Sequence, residues 1–577
     1  MKTGKLISIA LLSLAVACSK ENVSSNQGGS DANQYMAVDI AMSVGSSTKA
    51  PEDYRDGTEA ESTVNVKNSI FLFYDAYGNY LTSGVISATD GSVDENGNLT
   101  LQTNTSGFVE KESQAVIVLG PTRLRPALVL AVLNYDKCDE LKNLSLADVH
   151  KKVDNNAIST EAGKFTMTNS IYVDGNNVVN ATPISASSVK ETKEEALMSP
   201  VQIFVEREVV KVNMKAKDGL NKTADGKIWF GTPAEEYVLD GVKVSARIVV
   251  DGWAANAYNT TSYLVKNVPE SWIVTAPFAG WNAPAAKRTF WAQDPNYSGS
   301  DEYVFNRLPQ DETGTYKDVM YLSWKEATKN NTDAYNYMYE NTADKASVCA
   351  NGGEHANVPT ILIAAHVETS QNGVDWTKQD IYKFGGLFYT NTSLNNYAAE
   401  QILKGKLHWE YITAGVLKIA SMEPKQVTAT FVANKADNSG SVKVKVAKIT
   451  APKEGAQLMK EDGSVIAEAD WAKTVEDILN GEHGFNIDKK ELVCFKDGMC
   501  YYQVPIKHNQ TTGDVAYGTV RNHIYELTLS KIAKIGNPVF DPNEKLVLIP
   551  GEEKNYYVSA ELKILRWRVV TQDVVIE

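Results

Sequence analysis

The sequence predicts an all-β protein with short helices as decorations. Short runs of β-branched and aromatic residues recur between turn signals along the 577 residues, and cleanly alternating strands stand near both ends. A chain of this length exceeds one small core, so we expect two β-sandwich domains. The net charge is −14, which argues against a nucleic-acid partner, because neutralising phosphates requires clustered Lys and Arg.

Residues 1–17 are predicted to be a signal peptide. Lys2 and Lys5 precede an apolar run from Leu6 to Val16, and small residues follow the run. This run is shorter than the roughly 20 apolar residues that cross a bilayer, and the later candidate at 115–133 is interrupted by polar residues. We therefore expect the chain to be exported rather than embedded in a membrane.

Cys18 is the predicted lipidation site. It directly follows Ala15-Val16-Ala17, a segment that resembles the lipobox of bacterial lipoproteins, in which the thiol is acylated and becomes the new N-terminus. Ser19-Lys20-Glu21 resembles the short signal that sends lipoproteins to the outer face of the outer membrane. The alternative is ordinary signal-peptidase cleavage after Ala17, without a lipid such as palmitate.

Residues 18–62 are expected to hold a lipid tether and a removable first strand. The stretch 24–33 is polar and has no apolar period, which is typical of a flexible tether. Apolar residues then alternate with polar or small residues from Met36 to Val44, which predicts a strand with one buried face. The polar segment 45–62 follows, and its basic residues Lys49 and Arg55 are expected to be exposed and open to cleavage.

Residues 63–222 are expected to form the N-terminal sandwich and residues 223–550 the C-terminal sandwich with long loops. In the first, strand-like runs alternate with two short helical pieces around 145–153 and 188–197, and Val201 to Lys215 alternates again. In the second, a new set of strands opens at Tyr237, and the Asn-, Asp- and Tyr-rich stretch 277–354 predicts the loops.

Residues 551–577 are predicted to be a C-terminal strand segment. Alternation runs from Tyr556 through Val569, and Val574-Val575-Ile576 follows, so the chain ends in β structure. The apolar residues that we expect to act as a donor strand, by entering a groove of another copy, are Leu565, Trp567, Val569, Val574 and Ile576.

We find no catalytic or metal-binding pattern and expect neither an enzyme nor a cofactor. The sequence has no nucleophile elbow, phosphate-binding glycine loop or paired histidine spacing, and His355 and His483 are interpreted as solvated loop residues. The stretch 94–98 resembles part of a calcium loop, but a hairpin turn explains it better. The 27 Tyr and 10 Trp allow a carbohydrate site, although aromatic residues are also common in β-sheets.

Cys494 and Cys500 are the candidate disulfide. They lie close enough in sequence to bridge across the turn at Lys496-Asp497-Gly498, and an exported protein meets an oxidising environment. Two unpaired thiols remain the alternative.

Four segments resemble the fimbrillin family, which includes subunits of Bacteroidota type V fimbriae. The first would be the strand that closes the N-terminal domain, and the others are distributed over the second half of the chain. They are Val201 to Val212, Asp251 to Asn256 leading to Ser262 to Val265, Thr360 to Ile363 leading to His366-Val367, and Arg521 to Leu529.

This resemblance implies two transthyretin-like β-sandwiches, export as an outer-membrane lipoprotein, and cleavage by a trypsin-like protease after a basic residue. Lys49 before Ala50 matches the cleaved position, with Arg55 as the second choice, so the propeptide would end at about residue 49. The mature protein would be the shaft subunit of a surface fimbrium for adhesion or biofilm formation. Its partners would be further copies, accessory fimbrial subunits and a receptor that the sequence does not identify.

The residues also contain the parts that strand exchange requires. Removing the strand Met36 to Val44 would expose an apolar groove with unpaired backbone groups, and the C-terminal segment could fill the same groove in another copy. Three alternatives stay open at this point. Both terminal strands could complete sheets of their own chain, the protein could be a glycan-binding surface lipoprotein, or it could be a tip or anchor subunit of the same fimbrium.

Overall fold

The computed structural model describes most of the chain from the first predicted strand onward. The described residues are 34–43, 68–86, 102–103, 109–120, 125–155, 165–174, 177–231, 238–268, 292–295, 319–329, 336–342, 359–434, 440–485, 491–509, 516–546 and 568–576. Within these ranges, no helix has both the length and the apolar character needed to cross a membrane. The all-β prediction is confirmed, and the sheets are consistent with β-sandwiches.

Thirteen of the strands that the structure describes precede residue 208. They are β1 (Gln34–Ser43), β2 (Ser69–Tyr74), β3 (Tyr80–Ile86), β4 (Gln102–Thr103), β5 (Val109–Gly120), β6 (Leu128–Leu133), β7 (Val153–Asp154), β8 (Met167–Asn169), β9 (Tyr172–Asp174), β10 (Asn177–Val179), β11 (Thr182–Pro183), β12 (Val189–Lys190) and β13 (Val201–Arg207).

The remaining described strands follow residue 208. They are β14 (Val209–Ala216), β15 (Trp229–Gly231), β16 (Val238–Leu239), β17 (Val242–Lys243), β18 (Ser245–Asn256), β19 (Tyr258–Asn259), β20 (Ser262–Tyr263), β21 (Val319–Met320), β22 (Asn336–Tyr339), β23 (Asn341–Thr342), β24 (Thr360–Ser370), β25 (Thr377–Lys378), β26 (Ile381–Phe384), β27 (Leu387–Tyr389), β28 (Leu407–Thr413), β29 (Val416–Ser421), β30 (Val427–Ala433), β31 (Val442–Ile449), β32 (Gln457–Lys460), β33 (Val465–Ile466), β34 (Val493–Phe495), β35 (Met499–Pro505), β36 (Lys507–Asn509), β37 (Ala516–Thr519), β38 (His523–Ile532), β39 (Asn537–Pro538) and β40 (Arg568–Ile576).

The helices are short. The α-helices are α1 (Leu146–His150), α2 (Lys193–Leu197), α3 (Trp324–Ala327), α4 (Asn391–Tyr397) and α5 (Trp471–Asn480); a π-helical turn at Ala398–Leu403 continues α4. Ser145 caps α1, because its Oγ accepts a hydrogen bond from the Asp148 backbone N–H at 3.1 Å. Thr192 caps α2 in the same way. Both helical pieces predicted in the first half are therefore confirmed, although α2 is shorter than expected.

Seven of the ten described strands of the first sheet form a closed cycle. β13 pairs with β8, and the cycle continues through β6, β2, β3 and β5. β1 pairs with both β5 and β13 and so closes the cycle. The strands are apolar on both faces because each face covers a core: Phe71 and Phe73 lie in one cluster, and Ile70 and Leu72 lie in another.

The alternating stretch from Val201 to Lys215 forms two strands rather than one. β13 stays in the first sheet, whereas β14 pairs with β22 and β38 in a separate sheet of order β22-β14-β38-β40. The chain changes sheets at Glu208, whose backbone N–H donates to the carbonyl of Thr166. Periodicity could not reveal this change, because both strands are apolar and adjacent in sequence.

The second half of the chain packs this sheet against a longer one of order β15-β18-β24-β35-β39. Trp253, Ile363, Tyr502 and Tyr525 lie in the core that forms between them, and each is fully buried. An inserted lobe at 391–492 has a core of its own, in which Trp409 and Trp471 make an edge-to-face contact with centroids 5.0 Å apart.

Candidate functional site: the slot of the first strand

β1 is an internal strand of the first sheet. Its residues Val38 to Met42 run parallel to Val201–Val205 of β13, and its other edge runs antiparallel to β5. Met36, Ala37 and Val38 are completely buried. We call the space between β5 and β13 that β1 occupies the β1 slot.

The β13 wall of the β1 slot is apolar, and the facing edges of β13 and β5 are paired only while β1 is present. Val201, Ile203 and Val205 of β13 share a core cluster with Met36 and Val38 of β1. Without β1, the β13 edge and the β5 edge would both face an empty groove. An apolar groove bounded by two unpaired backbone edges binds another strand readily.

The segment that leads into β13 contacts the N-terminal end of β1. β12 pairs antiparallel with β1, placing Lys190 opposite Tyr35 and Val189 opposite Met36. The chain then turns through α2, which packs against β1, before it returns as β13. Ala37 is buried although its neighbours Met36 and Val38 face the core, so the sheet is covered on both sides at this position.

The predicted processing and lipidation sites lie outside the described residues. This applies to the signal peptide at 1–17, to Cys18, and to Lys49, Ala50 and Arg55. The chain leaves β1 at Ser43 and re-enters the described fold at residue 68, so the segment with both basic residues connects β1 to the rest of the sheet.

The C-terminal strand β40 lies in a sheet of its own chain. It runs parallel to β38, with Val569 opposite Ile524, Val574 opposite Leu529 and Ile576 opposite Ile532. In the described part of the sheet β40 is an edge strand, and β38 is its neighbour. Leu565 and Trp567 lie outside the described residues. In this structure both terminal strands thus complete sheets of their own chain, as the first alternative expects.

A buried ionic network joins the first sheet to the second half of the chain. The Arg521 guanidinium is completely buried and donates to Glu340 Oε1, to Ser262 Oγ at 2.9 Å and to the Tyr263 carbonyl at 2.7 Å. Lys266 Nζ lies 2.9 Å from Glu206 Oε2, and both side chains are buried.

A short strand pair strengthens this junction. β20 pairs with β7, which places Ser262 opposite Asp154 and Tyr263 opposite Val153. Since β7 precedes residue 208 and β20 follows it, backbone hydrogen bonds as well as ion pairs hold the two parts together.

Two carboxyl groups in this network have raised pKa values. Burial raises the pKa of Glu206, and the nearby Lys266 opposes the shift. Burial raises the pKa of Glu208 well above its usual range, and Asp154 raises it further. The sequence did not reveal this buried network, because its members lie far apart in the chain. Glu340 and Arg521, for example, are 181 positions apart, and only the fold brings them together.

The candidate disulfide is not formed. Cys494 and Cys500 are both unpaired and buried. Cys494 belongs to the core of the inserted lobe and Cys500 to the core between the two long sheets, so the turn between them separates the sulfurs into different clusters. Burial raises the pKa of each thiol to about 12, which keeps both protonated.

A polar row crosses the outer part of β18 and β24. His366 Nδ1 lies 2.6 Å from Asp251 Oδ2, and Arg247 Nε donates to Glu368 Oε2 at 2.6 Å. The Arg247 guanidinium also lies 4.5 Å from the ring centroid of Trp376, which is half-exposed. Asp251 and His366 belong to two of the segments that suggested the family, and the fold pairs them across neighbouring strands.

The other candidates from the sequence contribute little to a site. His483 is exposed, whereas His355 and the loop at 94–98 lie outside the described residues. Where the structure describes side chains, His, Cys, Asp and Glu residues do not gather in threes that could hold a metal ion.

Residues 493–573 match the family model described as major fimbrial subunit protein type IV, fimbrillin, C-terminal. This range begins with β34 and ends within β40. Over these residues the match confirms the resemblance to the fimbrillin family that the sequence indicates. A search of curated proteins finds no match.

Two solved structures illustrate the structural similarity. A fimbrial assembly protein from Parabacteroides distasonis ATCC 8503 is 11% identical, with 75% of this chain and 98% of that chain covered and a TM-score of 0.27. The tip fimbrial protein Mfa3 from Porphyromonas gingivalis, with C-terminal truncation, is 9% identical, with 68% and 100% covered and a TM-score of 0.26. At these TM-scores the structures differ too much overall to assign a role to this chain.

Proposed function

We propose that this protein is a shaft subunit of a cell-surface fimbrium that polymerises by strand exchange after proteolysis removes its first strand. The observation that carries the proposal is the position of β1, which alone closes the cycle between β5 and β13. A strand that is internal to the sheet yet connected through a basic, polar segment is suited to removal. The C-terminal segment 551–577 of another copy then fills the β1 slot.

The energy available from such an exchange is large enough for a stable polymer. If about five apolar side chains enter the β1 slot, burial contributes on the order of 10 kcal/mol before ordering costs. Backbone pairing with β5 and β13 adds to this. Because the donor and the slot lie on different parts of the subunit, the contact is head-to-tail and can continue as a filament.

The steps before assembly follow from the N-terminal residues. Residues 1–17 direct export, Cys18 carries the lipid that holds the precursor at the outer membrane, and a trypsin-like protease cuts after Lys49 or, failing that, after Arg55. The cut separates the lipid tether and β1 from the body. Replacing Cys18 with Ala should abolish labelling of the precursor with a fatty acid, and persistent labelling would contradict the lipid anchor.

The body of the subunit is proposed to comprise two β-sandwich units, for which the sequence suggested the ranges 63–222 and 223–550. We put the junction at Glu208 instead, because the chain changes sheets there and β14 pairs within the second unit. The buried Lys266–Glu206 pair and the β7–β20 pairing join the two units, which favours a stiff subunit. A stiff subunit suits a shaft, because a filament under load transmits force through every junction.

Negative-stain microscopy of the exported protein tests this proposal. Filaments are expected from the processed protein and isolated particles from the unprocessed precursor. A processed protein that has lost β1 and still shows only isolated particles would contradict the proposal.

A glycan-binding role is the second candidate, since Trp229 and Trp376 lie half-exposed beside Arg247 with ring centroids 6.3 Å apart. Their planes differ by 43°, and the guanidinium lies near both rings, so they do not form one flat platform. A glycan array probed with the wild type and with Trp376→Ala tests this role. Binding that the substitution abolishes would support it.

A further inference from the structure

We infer that the part of the C-terminal segment that fills the β1 slot is Val558–Ile564, which precedes β40. This inference rests on the proposed function and names the donor within it. It follows from comparing the residues that the β1 slot holds with every register that the C-terminal segment offers.

The β1 slot places three strict demands on its occupant. Positions 36 and 38 hold Met and Val, which are completely buried in the core with Val201, Ile203 and Val205. Position 37 holds Ala, which is also completely buried, so the site has room for a small residue only. An occupant therefore needs the order apolar, small, apolar at these three positions.

Only one register of the C-terminal segment meets these demands. From residue 551 to the end of the chain, small residues occur as Gly551, Ser559 and Ala560. A register with Gly551 at position 37 puts Glu552 at the buried position 38, and a register with Ala560 there puts Glu561 at position 38. A register with Ser559 at position 37 puts Val558 at position 36 and Ala560 at position 38. Leu562 and Ile564 then replace Ile40 and Met42.

The same register gives complementary charges. Ala41 of β1 is the cross-strand partner of Glu112 in β5, and Lys563 takes the place of Ala41. Asp39 is the partner of Gln114 in β5 and Gln202 in β13, and Glu561 preserves its acidic character. Opposite charges at directly opposed positions of an antiparallel pair favour the pairing, and β1 itself lacks this charge pair.

β40 cannot be the strand that enters the β1 slot in this account, because its residues offer no matching register. The nearest candidate puts Thr571 at position 37 and the amide Gln572 at the buried position 38. Only three residues separate Ile564 from Arg568, so β40 must leave its own β38 when Val558–Ile564 moves to a neighbour. When β40 leaves, the edge of β38 in each copy is unpaired. The β40 of a neighbouring copy can pair with this edge, as in a domain swap.

The small-residue demand is tested by Ser559→Trp, with Ser559→Ala as the matched control, in the full chain. After cleavage between β1 and β2, Ser559→Trp is expected to abolish filaments, whereas Ser559→Ala should give filaments of wild-type length. The melting temperature of each uncleaved precursor checks the fold, and it should stay at the wild-type value because β1 still fills its own slot.

The charge pair is tested by reversal. Lys563→Glu and Glu112→Lys should each weaken assembly by up to about fivefold, and the double variant should restore it, because the pair is re-formed with exchanged signs. The uncleaved Glu112→Lys precursor is a control, since the neutral Ala41 lies opposite residue 112 there.

The outcomes separate this inference from the proposed function. If the wild type forms no filaments after cleavage, the proposed function fails and the inference fails with it. If the wild type forms filaments and Ser559→Trp and both single reversals leave their length unchanged, another segment is the donor, so the inference is wrong and the proposed function stands.

Discussion

Arg521 is a buried charge whose hydrogen-bond partners include Ser262 and Tyr263 of β20, the strand that pairs with β7 of the first half. Its guanidinium is completely buried, pairs with the equally buried Glu340, and also donates to Ser262 and to two backbone carbonyls. Removing one partner of such a pair leaves an uncompensated buried charge, which is more costly than removing both.

We therefore expect Arg521→Met to lower the free energy of unfolding by about 3–5 kcal/mol. Arg521→Met combined with Glu340→Met should recover most of that loss. Urea unfolding measures both variants. Lys473→Ala is the control, because the Lys473–Asp477 pair is exposed and its loss should leave the free energy of unfolding nearly unchanged. A double variant as unstable as the single one would show that packing, not charge, dominates here.

Glu208 should make stability depend on pH. Its pKa is raised well above 4.5, first by burial and then by Asp154, so the folded chain binds this proton more tightly than the unfolded chain. The contribution of this group to the free energy of unfolding is greatest at low pH and falls as pH rises from about 4.5 towards the raised pKa. Glu208→Gln should stabilise the protein near pH 8 more than near pH 5, measured by unfolding at both values. An equal effect at both values would contradict the shift.

At the scale of elements, the sequence predicted best where apolar residues alternate strictly along one strand, although the face of β1 that was expected to be open is buried at Ala37. β1 was predicted from Met36 to Val44 and lies at Gln34–Ser43, because strict alternation determines both the strand and its register. The junction at Glu208 was not predicted, since β13 and β14 are apolar and adjacent. The pairing of β40 with β38 could not be predicted either, because it depends on which sheet of the folded chain has an unpaired edge within reach of the C-terminal strand.

The β1 slot itself could be predicted only in outline. The sequence indicated a removable strand, but the cycle that it closes depends on pairing with β5 and β13, which lie roughly 75 and 165 residues further along the chain. The contacts of β12 and α2 with β1 and the burial of Ala37 also required the fold. These features decide which donor residues fit.

Locking β1 in place should prevent assembly without affecting the fold. Asp39 and Gln202 are Cα partners in the parallel pair of β1 and β13, and Gln202 is exposed, so Asp39→Cys with Gln202→Cys should form a disulfide. After cleavage in the segment 44–67, we expect the oxidised variant to keep β1 and stay monomeric. Reduction should permit polymerisation. Asp39→Cys alone is the control and should polymerise under both conditions; an oxidised double variant that polymerises would contradict the role of the slot.

At the scale of the whole molecule, processing decides between a precursor that holds β1 and a subunit that can accept a donor. We expect the mature surface protein to begin at Ala50 or, failing that, at Asp56, because Lys49 and Arg55 are the basic residues of the polar segment 45–62. N-terminal sequencing measures this. Lys49→Ala with Arg55→Ala should keep the protein at the membrane as an unprocessed precursor. A mature protein that retains residues 36–44 would favour an anchor subunit or a glycan-binding protein.

The central claim is that loss of β1 converts a closed monomer into a subunit that captures a strand from another copy. The most direct measurement is the mass in solution of the purified full chain, by light scattering, before and after cleavage between Ser43 and Ser69. We expect a single monomer mass before cleavage and a series of multiples of the processed mass afterwards. A single monomer mass after cleavage, in a folded protein that has released β1, would contradict this account.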